Sequence, residues 1–127
     1  MTLALGIDPG TATTGYGLVR LMRDGELVAV SYGIISTSKD ATPAARLEML
    51  FDQLNALLKK HKPDTAAVEK LFFQSNVKTA LAVGQARGVI MLCLQKAGID
   101  PFEYTPNEVK QAVAGYGGAD KRQVQDM

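Results

Sequence analysis

Two short apolar runs in this chain each end on a carboxylate. Leu3-Ala4-Leu5-Gly6-Ile7 stops at Asp8, with Pro9-Gly10 behind it, and Thr65-Ala66-Ala67-Val68 stops at Glu69. A continuous apolar run of this length reads as a central strand, buried on both faces of its sheet. An acid at the carboxyl end of such a strand is costly to bury unless it is paired, hydrogen-bonded or holding a metal. Open α/β sheets place their chemistry outside the carboxyl ends of their strands. The two acids therefore constrain the chain to an α/β sheet with one site at its edge.

A length of 127 residues, 46% of them hydrophobic, bounds the chain to a single domain able to bury a core, and excludes disorder. Lys and Arg number 14 against 13 Asp and Glu, so any basic surface must be local. The single cysteine, Cys93, excludes an internal disulfide and fits a reducing compartment; in its apolar stretch it reads as inert packing. One Cys and one His, His61, leave no zinc cluster, and His61 reads as part of a solvated helix end. The N-terminus has no signal-peptide pattern. The longest apolar segment, Ala80 to Leu94, is interrupted by Gln85 and Arg87 and reads as too short to span a bilayer. The expectation is a cytoplasmic protein with no membrane partner.

Along the chain, a first strand ending at Asp8 is followed by a second from about Gly15 to Met22. Asp24-Gly25 signals a two-residue hairpin into a third strand from about Leu27 to Thr37. Thr42-Pro43 opens a helix, with Thr as N-cap and Pro at the first helical position. Leu47, Leu50, Phe51, Leu54, Leu57 and Leu58 form its apolar face, and Lys59, Lys60 and His61 suit the macrodipole in its last turn. Lys62-Pro63-Asp64 stops it, and a fourth strand climbs to Glu69.

A loop over residues 70–74 leads to a helix opening near Ser75 or Asn76. That helix is apolar nearly all round, with Gly84 and Gly88 four apart, and predicts a central position or a homodimer contact. Pro101 to Tyr104 is a fifth strand, and Thr105-Pro106-Asn107-Glu108 is a capping box. Asp120 and Gln123 are spaced to start a last helix, which Met127 cuts short. The expected arrangement is one domain over residues 1–127, truncated within its last helix.

Three antiparallel strands, a helix, then strand–helix–strand make a five-stranded mixed α/β sheet flanked by helices. The fourth strand, entered through a crossover helix, lies parallel to the first. If the two are neighbours, Asp8 and Glu69 meet. Carboxylates that close repel, and one holds a proton near neutral pH unless a cation intervenes. Hard oxygen donors suit Mg²⁺ or Mn²⁺, ions that in pairs promote phosphodiester cleavage. The plainer alternative is two ordinary exposed acids at strand ends.

Gly6-Ile7-Asp8-Pro9-Gly10 with Thr14-Gly15-Tyr16-Gly17 resembles the opening of the RuvC crossover junction endodeoxyribonucleases. Val68-Glu69, Gly84-Gln85-Ala86-Arg87-Gly88, Val109-Lys110-Gln111 and Lys121-x-Gln123-Val124-Gln125 are similar to that family's later blocks, in its order and spacing. The resemblance implies a ribonuclease H-like fold, a homodimer, and paired nicks across a four-way DNA junction. It also implies Mg²⁺, two ions per site, held by four acidic ligands. Asp8 carries over as the first and Glu69 as the second. The other two belong beyond Met127; Asp120 and Asp126 do not occupy their motif. The 127-residue chain alone is therefore expected to bind metal poorly and cut little.

Adjacent Phe72 and Phe73 cannot both face one core in an extended segment. By resemblance, Phe72 stacks on an unpaired base near the crossover. Lys110 and Lys121 carry over as phosphate contacts, whereas Arg87 reads as structural or dimer-related. Branch-migration partners, a junction-binding tetramer and a ring helicase, are implied by the family alone. Two rivals remain. One is a non-catalytic junction-binding module of the same fold. The other is an actin-like ATPase or sugar kinase, whose phosphate loop also reads strand–Asp–x–Gly–Thr.

Overall fold

A computed structural model describes residues 2–10, 12–69 and 77–104. Among the described residues, five strands and two helices follow in the order β1 (Thr2–Asp8), β2 (Thr13–Leu21), β3 (Leu27–Ser36), α1 (Pro43–His61), β4 (Thr65–Glu69), α2 (Val77–Lys96) and β5 (Phe102–Tyr104). The strands form one sheet in the order β3-β2-β1-β4-β5. β1, β2 and β3 pair antiparallel, while β4 runs parallel to β1 and β5 parallel to β4. The mixed sheet read from the sequence is the sheet observed.

The strand register sorts side chains to two faces with a period of two. Leu3, Leu5 and Ile7 of β1, Ala66 and Val68 of β4, Leu18 of β2 and Ile35 of β3 join Leu50, Leu54 and Leu58 of α1 in the core. Ala86, Ile90, Cys93 and Leu94 of α2 complete that cluster. Both helices thus cover one face of the sheet. A further clamp ties β4 to β1 at their starts: Leu3 N–H donates to Asp64 Oδ2 at 2.8 Å, and Asp64 N–H donates to the Leu3 carbonyl at 2.8 Å.

α1 begins and ends as its sequence dictates. Thr42 caps it, its hydroxyl accepting from Ala45 N–H at 3.1 Å, with Pro43 first in the helix. Lys62 closes it in the left-handed region at φ 46°, donating its N–H to the Leu58 carbonyl. Pro63 follows and cannot extend the helix. His61 is partly buried at the helix end.

Three expectations need correction. The β2–β3 connection is not a two-residue primed turn, which would require positive φ at Asp24; only Gly25 has it, at 87°. Gly25 N–H donates to the Met22 carbonyl and Met22 N–H to the Glu26 carbonyl, the pattern of a three-residue loop closed by a left-handed glycine. β2 starts at Thr13 rather than Gly15, because Thr13 and Thr14 pair with Ser36 and Ile35 although neither is apolar. α2 spans 20 residues, so by length and composition it could cross a membrane. Its Val83, Ala86, Ile90, Cys93 and Leu94 are buried within the fold, so one side of the helix packs in the core, while Val77, Leu81 and Leu92 are exposed.

Candidate functional site

Asp8 is the last residue of β1 and Glu69 the last of β4. The parallel register sets Leu5 beside Ala66, Gly6 beside Ala67 and Ile7 beside Val68, so the next step in the same direction brings the two acids together. Both lie on the face opposite Leu5, Ile7 and Val68, because successive strand residues alternate. Asp8 is exposed and Glu69 partly buried. Across β2, Asp8 stands opposite Gly15, where an added Cβ would lie 3.9 Å from the Asp8 Cβ. The glycine leaves space beside the carboxylate.

The electrostatics of the pair follow from this proximity. Glu69 is raised from an ordinary 4.5 to about 7, first by burial, then by its hydrogen bond to Asp8, then by the negative charge of Asp8. A carboxyl held protonated toward neutral pH by burial and a neighbouring carboxylate marks a pair lacking positive charge. A hard divalent cation supplies that charge through oxygen ligands, and these two acids fit it as donors. Among the described residues, no group of three or more His, Cys, Asp and Glu side chains comes together. The described residues thus offer two candidate oxygen donors.

Other expected residues separate clearly. Phe72, Lys110 and Lys121 lie outside the described residues, as do Phe73, Asp120 and Asp126. Cys93 is fully buried, its Sγ directed at the Phe51 carbonyl at 3.8 Å. Burial is the main cause that pushes its thiol to about 11, so it is inert. Arg87 forms an ion pair with Glu103 of β5, a structural link between α2 and the sheet edge. Gly10 is required sterically: a Cβ there would collide with the Thr13 carbonyl oxygen. Reading the sequence missed the residues that anchor this loop, Thr37 and Arg46. Arg46 reaches the loop through the Thr37 hydroxyl, and Thr37 reaches it through the Ala12 carbonyl, a backbone atom that leaves no mark in the sequence.

Comparison with known proteins supplies the remaining identification. Residues 4–127 match the family model for crossover junction endodeoxyribonuclease RuvC. The chain is 57% identical over 125 residues to the crossover junction endodeoxyribonuclease RuvC of Chloroflexus aggregans, covering 98% of this chain and 75% of that protein. It is 53% identical over 126 residues to that of Roseiflexus sp. (strain RS-1), covering 99% of this chain and 74% of the relative. The fold is similar to that of Thermus thermophilus RuvC in complex with Holliday junction substrate, with a TM-score of 0.82 and 24% identity over 98% of this chain and 87% of that one. That likeness shows the fold, and the family model with the similar relatives shows the family. With its two strand-end acids side by side, this chain belongs to the RuvC family of crossover junction endodeoxyribonucleases.

Proposed function

We propose that this chain is the catalytic body of a structure-selective endonuclease that resolves four-way (Holliday) DNA junctions during recombination and repair. It does so by paired, metal-dependent hydrolysis of phosphodiester bonds. The observation that carries this reading is the juxtaposition of Asp8 and Glu69 at the carboxyl ends of neighbouring parallel strands. Mg²⁺, with Mn²⁺ as a substitute, is the cofactor that suits these hard oxygen donors. When bound, such ions lower the pKa of water and stabilise the leaving oxygen of a phosphodiester.

The chain's own contribution is placement. The β1–β4 ladder holds the two carboxylates together even though they repel. The partial burial of Glu69 strengthens its field on a bound cation. The chain spans about three quarters of the length of its curated relatives. Two further acidic ligands, implied by the family resemblance, lie downstream, so the 127 residues alone bind metal weakly and cut little.

The enzyme acts as a homodimer in this reading. α2 exposes Val77, Leu81 and Leu92, and a Cβ added at Gly84 or Gly88 would meet nothing within 4 Å. A second copy of the helix can approach closely along that bare face. A two-fold dimer carries two equivalent sites, which matches a reaction that nicks two strands symmetrically. Phe72 stacks on an unpaired base, and Lys110 and Lys121 meet phosphate. A junction-binding tetramer and a ring helicase are the protein partners, and the cytoplasm is the location.

Family membership removes the actin-like phosphotransferase as a rival. The remaining alternative is a junction-binding module without catalysis. Full-length protein incubated with a synthetic four-way junction, with and without Mg²⁺, separates the two. Symmetric, ligatable nicks that require Mg²⁺ are expected; a stable complex without nicks would make the protein a binder.

A further inference from the structure

The connection that follows Asp8 is held from outside by residues of two other elements. Thr37, just past the end of β3, donates both its hydroxyl and its backbone N–H to the Ala12 carbonyl oxygen, each at 3.4 Å. Arg46, in the opening turns of α1, donates Nε–H to Thr37 Oγ1 at 3.0 Å. The polarity of this relay is fixed, because a guanidinium only donates. The Thr37 hydroxyl therefore accepts from Arg46 and directs its own proton to Ala12. Ala12 lies in the short β1–β2 connection, between Asp8 and its ladder partner Gly15.

Packing holds this connection at Pro9, which is buried, but Ala12 is only partly buried. Below it lies a cavity of about 160 Å³, lined among others by Gly10, Ala12, Thr14, Thr37, Arg46 and Gln85. A segment bordering an open pocket has fewer packing neighbours on that side, so directional bonds contribute to fixing its position. At its near end the connection closes tightly, Gly10 lying against the Thr13 carbonyl oxygen. Ala12 adjoins Thr13, whose carbonyl oxygen sits against Gly10 two residues past Asp8, so the position of Ala12 bears on that of Asp8.

We propose that Thr37 and Arg46 are positioning residues: the relay from Arg46 through Thr37 to the Ala12 carbonyl holds the loop after Asp8, and so sets the Asp8 carboxylate against Glu69 for metal binding. This rests on the nuclease reading above. Neither residue touches the reacting phosphate. Supports one step removed from a metal ligand commonly change metal affinity or activity by about 10- to 100-fold when lost.

The test compares full-length wild type with Thr37→Val, which keeps the side-chain shape but removes the hydroxyl, and Thr37→Ser, which restores it. Three quantities are measured: single-turnover nicking of a synthetic four-way junction, Mn²⁺ affinity by calorimetry without DNA, and Tm. Thr37→Val is expected to lose about 10-fold or more in both nicking rate and Mn²⁺ affinity. Its metal-free junction affinity and Tm should match wild type, and Thr37→Ser should recover both losses. Wild-type values for Thr37→Val overturn the proposal. So do equal losses in the Val and Ser variants, or losses that track a lower Tm. If the wild type does not nick at all, the nuclease reading falls, and the Mn²⁺ comparison alone decides the positioning role.

Discussion

On the face of the sheet turned toward the helices, β1 presents Leu3, Leu5 and Ile7 and β4 presents Ala66 and Val68, all of them buried. On the opposite face the same two strands present Ala4, Gly6 and Asp8 beside Ala67 and Glu69. β2 adds Gly15 and Gly17 to that second face, opposite Asp8 and Gly6. One face carries bulky side chains that interlock with α1 and α2; the other is a floor of small residues ending in two acids. The outer strands flank that floor with Tyr32, Ile34 and Phe102, each about two-thirds exposed. Alternation along a strand lets adjacent residues serve separate ends. Leu5 and Ile7 hold the sheet, while Gly6 and Asp8 shape the site.

The contrast predicts effects that do not cross from one face to the other. The largest belongs to the acids. Asp8→Asn or Glu69→Gln in the full-length protein should lower nicking on the order of 10³-fold or more, because the proposed function makes each a metal ligand. Junction affinity and Tm should hold or rise, since the carboxylate repulsion is relieved. A variant that nicks normally would move the site elsewhere.

Leu5→Ala comes next. Leu5 is fully buried in a central strand, so its truncation should cost about 2–5 kcal/mol of stability, read by urea unfolding. At a temperature where the variant remains folded, its nicking rate should stay near wild type. A large rate loss at full folding would show that the two faces are coupled.

The smallest effect is a pH dependence of the metal-free protein. The folded-state value for Glu69, about 7, lies above its ordinary 4.5. Its contribution to stability is therefore complete below about 4.5 and is lost as pH rises through about 7. Tm measured without metal should fall across that window, and Glu69→Gln should flatten this component. An equally steep fall in Glu69→Gln would assign it to another group.

Much of this was legible in the amino-acid sequence. The strand-end acids are visible because an apolar run makes a terminal carboxylate conspicuous, and α1 is visible because Thr42-Pro43 and Lys62-Pro63 mark both ends. The antiparallel opening and parallel crossover follow from the order of elements alone. The hairpin loop was misjudged by one residue, because Asp-Gly serves both a primed turn and a three-residue loop. Backbone φ at Asp24 decides between them, and sequence does not reveal it. The start of β2 was placed late because Thr13 and Thr14 enter the ladder through backbone pairing, not apolar character. The Arg46–Thr37–Ala12 relay was invisible for a related reason: it joins distant positions through a main-chain carbonyl, and any residue type carries one. Phe72, Lys110 and Lys121 rest on the family motif alone.

The central claim is that Asp8 and Glu69 form one metal-holding pair, and calorimetric titration of full-length protein with Mn²⁺ at pH 6 and pH 8 tests it most directly. Protons and metal compete for Glu69, whose carboxyl titrates near 7. Wild-type affinity should therefore rise between the two pH values with protons released on binding, and Glu69→Gln should bind weakly at both. Equal wild-type affinity at both pH values, together with undiminished binding by Glu69→Gln, would contradict the account.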